Sequence, residues 1–112
     1  FGGHPVNCAA SLACLQYLIS SNIMQEVSKK EQLFRTHLQH PKIKEIRGQG
    51  LMLAIEFDDE VLAKKVVEKS LENGLILFYF LFTKTAIRIT PPLTITVEEI
   101  IKGCEIIKGI LD

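Results

Sequence analysis

The chain lacks any block of like charge. Its thirteen basic and thirteen acidic side chains cancel to a formal net charge of zero over 112 residues. No five or six of one sign run together, which excludes the electrostatic footprint of a nucleic-acid or acidic-lipid surface. Long apolar runs are missing too. The longest, Leu75 to Phe82, falls far short of the roughly 20 residues that a bilayer-crossing helix needs. No charged segment followed by an apolar stretch opens the chain in the manner of an export signal. A soluble, cytoplasmic domain is expected. Cysteine is scarce: Cys8, Cys14 and Cys104 are odd in number and have no Cys-x-x-Cys spacing, which argues against a disulfide framework and a zinc site. They read as small buried apolar residues. Repeats, low-complexity tracts and linkers are absent, and with 47% apolar residues the length supports one modest core but not two.

What is present reads as helices first and sheet afterwards. Gly2-Gly3 supplies a flexible turn and Pro5 suits a first helical turn, so a helix is predicted from Pro5 to Ser20. Its small residues Cys8 to Cys14 allow close approach to another backbone. A second helix carrying Met24, Val27, Phe34 and Leu38 runs to His40, ahead of Pro41. From Ile46 the period becomes that of a strand, setting Met52, Ala54 and Glu56 against Leu51, Leu53, Ile55 and Phe57. Asp58 or Asp59 caps a third helix that stops near Glu72 at Asn73-Gly74. The aromatic-rich run from Leu75 reads as a strand buried on both faces. Thr96-Val97-Glu98-Glu99 has capping-box form with Ile95 and Ile100 as a staple, and the helix it opens places Ile100, Cys104, Ile107 and Leu111 on one face. An α+β fold follows, with an antiparallel three-stranded sheet (Gly50–Phe57, Leu75–Phe80, Ala86–Thr90) covered on one side by helices. Residues 1–40 form a helical lead-in to a sheet-helix core over 46–112.

Ala86-Ile87-Arg88-Ile89-Thr90 places one arginine inside an apolar strand, and Pro91-Pro92 then stops that strand because neither proline has an N–H to pair. Ile87 and Ile89 point to one face and Arg88 to the other. Two readings are open on the residues alone. Arg88 is either a half-exposed sheet arginine paired with a nearby glutamate, or a planar donor fork for a carboxylate or phosphate.

Other candidates have plain readings. Gly48-x-Gly50 lacks the third glycine of a dinucleotide fingerprint and leads into a strand, so the glycines fit a bulge or close backbone approach. His37 and His40 lack a third ligand and read as solvated histidines. Asp58-Asp59-Glu60 complements a helix dipole rather than forming a cation cluster. Cys14 has no histidine base placed beside it.

Three segments in register, Phe1-Gly2-Gly3-His4-Pro5, Ile46-Arg47-Gly48-Gln49-Gly50-Leu51-Met52 and Ile87-Arg88-Ile89-Thr90-Pro91-Pro92-Leu93-Thr94, resemble the C-terminal part of a class III pyridoxal-phosphate-dependent aminotransferase of the ornithine, acetylornithine and 4-aminobutyrate type. The resemblance covers nearly the whole chain. It implies the C-terminal small domain of a fold-type I enzyme that moves an amino group between an amine or amino acid and a 2-oxo acid, active as a homodimer. Arg88 then resembles the family arginine that clasps the substrate carboxylate. Phe1 and Gly2 resemble the turn beside the phosphate of pyridoxal 5'-phosphate, held mainly by the neighbouring subunit. The chain departs from the family pattern at His4, where asparagine is frequent; the family also usually carries a hydroxyl residue just before the position of Phe1, so the phosphate donor of this segment is not assigned from these residues. The resemblance also implies that the lysine binding the cofactor, and the acid facing its pyridine nitrogen, lie upstream. This segment alone is therefore expected to be inactive, with no catalytic residue and no metal site of its own. The alternative is a free-standing regulatory or interaction domain in which Arg88 binds a small ligand or a partner's carboxylate.

Overall fold

The computed structural model describes residues 1–112. Helix α1 spans Pro5–Ser20, α2 Ile23–His37, α3 Glu60–Glu72 and α4 Val97–Leu111; strands are β1 Glu45–Gln49, β2 Met52–Glu56, β3 Phe78–Tyr79 and β4 Ala86–Ile89. The sheet is antiparallel throughout, in the order β1-β2-β4-β3. It therefore has four strands where three were expected. The segment from Ile46 is a hairpin rather than the start of one strand: Gly48 and Gly50 hold φ of +116° and +60°, and the chain reverses through Gly50-Leu51 so that Gln49 pairs with Met52.

Local signals place the helix ends. The His4 side chain accepts from the Val6 N–H, capping α1. Asp59 accepts from the Leu62 N–H at 2.7 Å, Gly74 follows α3 with φ +79°, and Thr96 and Glu99 form the reciprocal capping box of α4. Helix α2 ends at His37, three residues earlier than expected, and buries Ile23 while Met24 stays exposed.

Strand alternation sends Leu53 and Ile55 of β2 and Ile87 and Ile89 of β4 to one face. There, with Phe57, they join Phe34 and Leu38 at the end of α2, Ala63 and Val66 of α3, and Ile100, Cys104, Ile107 and Leu111 of α4 in one core. The other sheet face carries Arg47, Glu56 and Arg88 and has no helix over it.

Three further expectations change. The run Leu75–Phe82 is not buried on both faces: only Phe78 and Tyr79 pair, at the sheet edge, and Ile76, Phe78, Leu81 and Phe82 are exposed. An apolar run specifies burial only where a second layer covers it, and here Leu75 and Leu77 alone turn inward. Cys8 and Cys14 are exposed because α1 buries none of its residues; only Cys104 is in the core. His40 is not solvated, since its ring lies 3.1 Å from Asp112 Oδ1 with the side chain 12% exposed, tying the exit of α2 to the end of α4.

Candidate functional site

The register of the open sheet face sets Arg47 opposite Ala54, Ala54 opposite Arg88, and Arg88 opposite Phe78, one residue from each strand in a single row. Ala54 is 6% exposed although it faces away from the helices; its small side chain lies between two arginines whose aliphatic stems can cover it. The row is thus a shallow floor with a guanidinium on each side.

The two arginines differ in their partners. Arg47 pairs with Glu56, which also accepts from the Thr85 hydroxyl. The Thr85 hydrogen bond and then the Arg47 guanidinium hold the Glu56 carboxyl below the usual glutamate range, against the opposing effect of burial. Arg88 is exposed and no carboxylate of the chain lies within ion-pair distance of it; its guanidinium carbon stands 5.5 Å from the centre of the Phe78 ring. The reading of Arg88 as half of a sheet-face glutamate pair therefore does not describe this fold: the glutamate on that face is already engaged by Arg47 and Thr85.

Arg88 separates two concavities. One, of about 250 Å³, lies on the open face between Arg47, Gly48, Met52, Ala54, Phe80, Arg88 and Thr90. The other, of about 400 Å³, is an apolar groove between the Leu75–Phe78 segment, the Pro91-Pro92 exit and α4. The first cavity has no lysine and no acid in its walls, so its residues do not fit the aldehyde or pyridine nitrogen of pyridoxal phosphate. They fit an anionic end group beside an apolar floor.

Phe1 and Gly2 are not brought to this site. They form the turn before α1, fully exposed, with the Phe1 carbonyl accepting from the His4 N–H. A Cβ at Gly2 or Gly3 would meet nothing within 4 Å. No three His, Cys, Asp or Glu side chains gather to hold a metal ion, and no helix is long and apolar enough to cross a membrane.

Sequence reasoning missed Lys30, Glu31 and Arg35 on α2. Their i,i+4 pairs, Glu26–Lys30 and Glu31–Arg35, are legible as helix spacing. Their bonds to the backbones of Leu93, Gly50, Ile46 and Gly48 are not, because those partners are 11 to 63 residues away.

The family profile described as "Aminotransferase class-III" matches residues 1–111. The acetylornithine aminotransferase of Caldanaerobacter subterraneus subsp. tengcongensis is 38% identical over an alignment of 116 positions that covers 99% of this chain and 29% of that protein. The crystal structure of the ornithine aminotransferase from Toxoplasma gondii ME49 superimposes with a TM-score of 0.84 at 34% identity, over 99% of this chain and 28% of that one. A second structure of the Toxoplasma enzyme, described as having partial occupancy of PLP at its active site, gives a TM-score of 0.81 at 34% identity over the same shares of the two chains. The chain thus spans under a third of the length of the relatives it matches. Nothing in these matches supports the free-standing regulatory module.

Proposed function

We propose, from the premise that this chain belongs to the class III aminotransferase family of pyridoxal-phosphate-dependent enzymes, that it supplies the substrate-carboxylate arm of such an enzyme. The whole protein moves an amino group between an amine or amino acid and a 2-oxo acid, and Arg88 binds the carboxylate. The observation that carries this reading is the state of Arg88: exposed, without an acidic partner, and set at a strand end that Pro91-Pro92 terminates. A guanidinium held on a rigid sheet and left unneutralised offers a preorganised two-pronged donor, so a carboxylate that docks there displaces no internal partner.

In this reading residues 1–40 are the helical lead-in and 46–112 the sheet-helix core of the C-terminal small domain. Phe1 and Gly2 approach the cofactor phosphate of a neighbouring subunit: the Gly2-Gly3 turn precedes a sixteen-residue helix with no acidic residue in its first turn, a backbone that can face an anion. The apolar surface of α1, with Leu12, Leu15, Tyr17 and Ile19 exposed, is suited to packing against the remainder of a homodimeric, cytoplasmic enzyme. When bound, pyridoxal phosphate supplies the electron sink for the transfer. The residues of this chain orient the substrate, and Arg88 fixes its carboxylate relative to the reacting end.

The test is Arg88→Lys in the full-length enzyme carrying this chain, with matched substrates that have or lack the carboxylate. Loss of the fork should cost about 2–4 kcal/mol of transition-state stabilisation, roughly 30- to 1,000-fold in kcat/KM, for the carboxylate substrate. The amine without a carboxylate should be nearly unaffected, and cofactor absorbance unchanged. Equal losses for both substrates with the cofactor retained would make Arg88 a structural strand residue.

A further inference from the structure

The end of the sheet from which Arg88 emerges is tied to a single helix. Leu53 pairs with Ile89, so the Gly50-Leu51 turn of the β1–β2 hairpin and the Pro91-Pro92 exit of β4 lie at the same end. Helix α2 bonds to both. Lys30 Nζ donates to the Leu93 carbonyl at 2.7 Å and pairs with Glu26 Oε2 at 3.2 Å. Glu31 Oε2 accepts from the Gly50 N–H at 2.7 Å, and Glu31 Oε1 holds Arg35 Nε at 2.9 Å. Arg35 then donates to the Ile46 and Gly48 carbonyls at 2.6 and 2.9 Å.

Lys30 stands apart within this set. It is 6% exposed, the one buried lysine of the chain. An ammonium loses hydration on burial and is retained there when it makes strong bonds in return. Its carbonyl partner lies in the segment that most needs an outside anchor. Pro91 and Pro92 cannot donate to a neighbouring strand, and between Thr90 and Thr96 the backbone closes on itself only through the Ile95 N–H to the Pro92 carbonyl, 3.0 Å.

We propose that Lys30 is a positioning residue for Arg88: by pinning the Leu93 carbonyl it fixes the course of the chain just after β4, and so the direction in which the strand end presents the guanidinium. The proposal rests on the reading of Arg88 as the carboxylate-binding group. Lys30 itself touches no substrate. It acts through five residues of backbone, with Glu31 and Arg35 holding the adjacent hairpin in the same frame.

The experiment compares Lys30→Met, Lys30→Arg and Glu26→Gln with Arg88→Lys in the full-length enzyme, using the same pair of substrates and amide hydrogen exchange over residues 86–96. Lys30→Met should raise KM for the carboxylate substrate roughly 5- to 50-fold, the scale expected when a binding group is misplaced by a fraction of an ångström to an ångström. It should leave the carboxylate-free amine unchanged and speed exchange over 86–96 without speeding it in α3. Lys30→Arg, which keeps a charged donor, should recover most of the loss, and Glu26→Gln, which alters only the 61%-exposed acid, should behave like the unaltered enzyme. If Lys30→Met does not accumulate as folded protein, Lys30→Gln, whose shorter and neutral donor weakens the bond to the Leu93 carbonyl without removing it, should show the same substrate-selective rise in KM at smaller size. A discriminating Arg88→Lys together with a Lys30 variant that affects both substrates alike, or neither, overturns this proposal and leaves the role of Arg88 standing. An Arg88→Lys that does not discriminate removes both.

Discussion

Arg88 and Phe78 face each other across the β3–β4 pair, and the guanidinium carbon stands 5.5 Å from the centre of the phenyl ring. The ring's negative face attracts the cation, and its bulk limits the rotamers open to a long side chain that has no acidic partner. Phe78 thus acts as the backstop of the arginine. Because the residue is 53% exposed, little core packing depends on it.

Phe78→Leu should therefore leave the melting temperature nearly unchanged and weaken binding of a carboxylate substrate. A cation–π contact of about 0.5–1 kcal/mol corresponds to a roughly two- to fivefold rise in KM. Steady-state kinetics on the carboxylate and carboxylate-free substrates check this, and identical KM values for Phe78→Leu and the unaltered enzyme would reduce Phe78 to a sheet-edge covering.

The hairpin that completes the sheet depends on glycine most at position 48. Gly48 has φ +116°, and a Cβ there would lie 2.1 Å from the Met52 carbonyl oxygen and 3.0 Å from the Leu53 Cα, both backbone atoms that cannot turn aside. At Gly50, φ +60°, the nearest atom is a Val27 methyl at 2.9 Å, which can move. Gly48→Ala should destabilise by about 3 kcal/mol or more and Gly50→Ala by about 1–2 kcal/mol. Denaturant midpoints at constant slope check the order; equal losses would mean that the hairpin relaxes freely at Gly48.

Acid should act on the sheet face through Glu56. Its folded-state pKa is held below the ordinary 4.5, first by the Thr85 hydroxyl and then by Arg47. A depressed carboxylate stabilises the fold above its unfolded value, and that contribution is lost as the pH falls from about 4.5 through the lower folded value. Thr85→Val and Glu56→Gln should each flatten the decline in unfolding free energy below pH 4.5 relative to the unaltered protein. Glu31, depressed first by its bond to Arg35 and then by the Gly50 N–H, titrates with the same sign and leaves a residual slope in both variants. An unchanged acid limb in Thr85→Val would show that the hydroxyl does not hold the Glu56 proton equilibrium.

The residues by themselves determined whatever is decided within about one helical turn or one strand repeat. Pro5 starts α1, one of Asp58 and Asp59 caps α3, Asn73-Gly74 stops it, and Thr96 with Glu99 opens α4. Each of these signals joins atoms only a few residues apart. The alternation around Arg88 likewise fixed which face it occupies, and Pro91-Pro92 fixed where its strand ends. The tertiary structure decided what depends on a distant partner. Gly48 and Gly50 are compatible with a bulge or a turn until β1 finds β2. Leu75–Phe82 is apolar enough for a buried strand, yet it takes an edge position because β4 already pairs with β2 on its other side. Cys8 and Cys14 have the character of core residues on a helix that buries none of its residues in this chain. Lys30 reads as a solvated charge until the Leu93 carbonyl, 63 residues away, comes within 2.7 Å of its ammonium. Burial and long-range hydrogen bonds are properties of pairs of segments, and neither segment carries the other's position in its own residues.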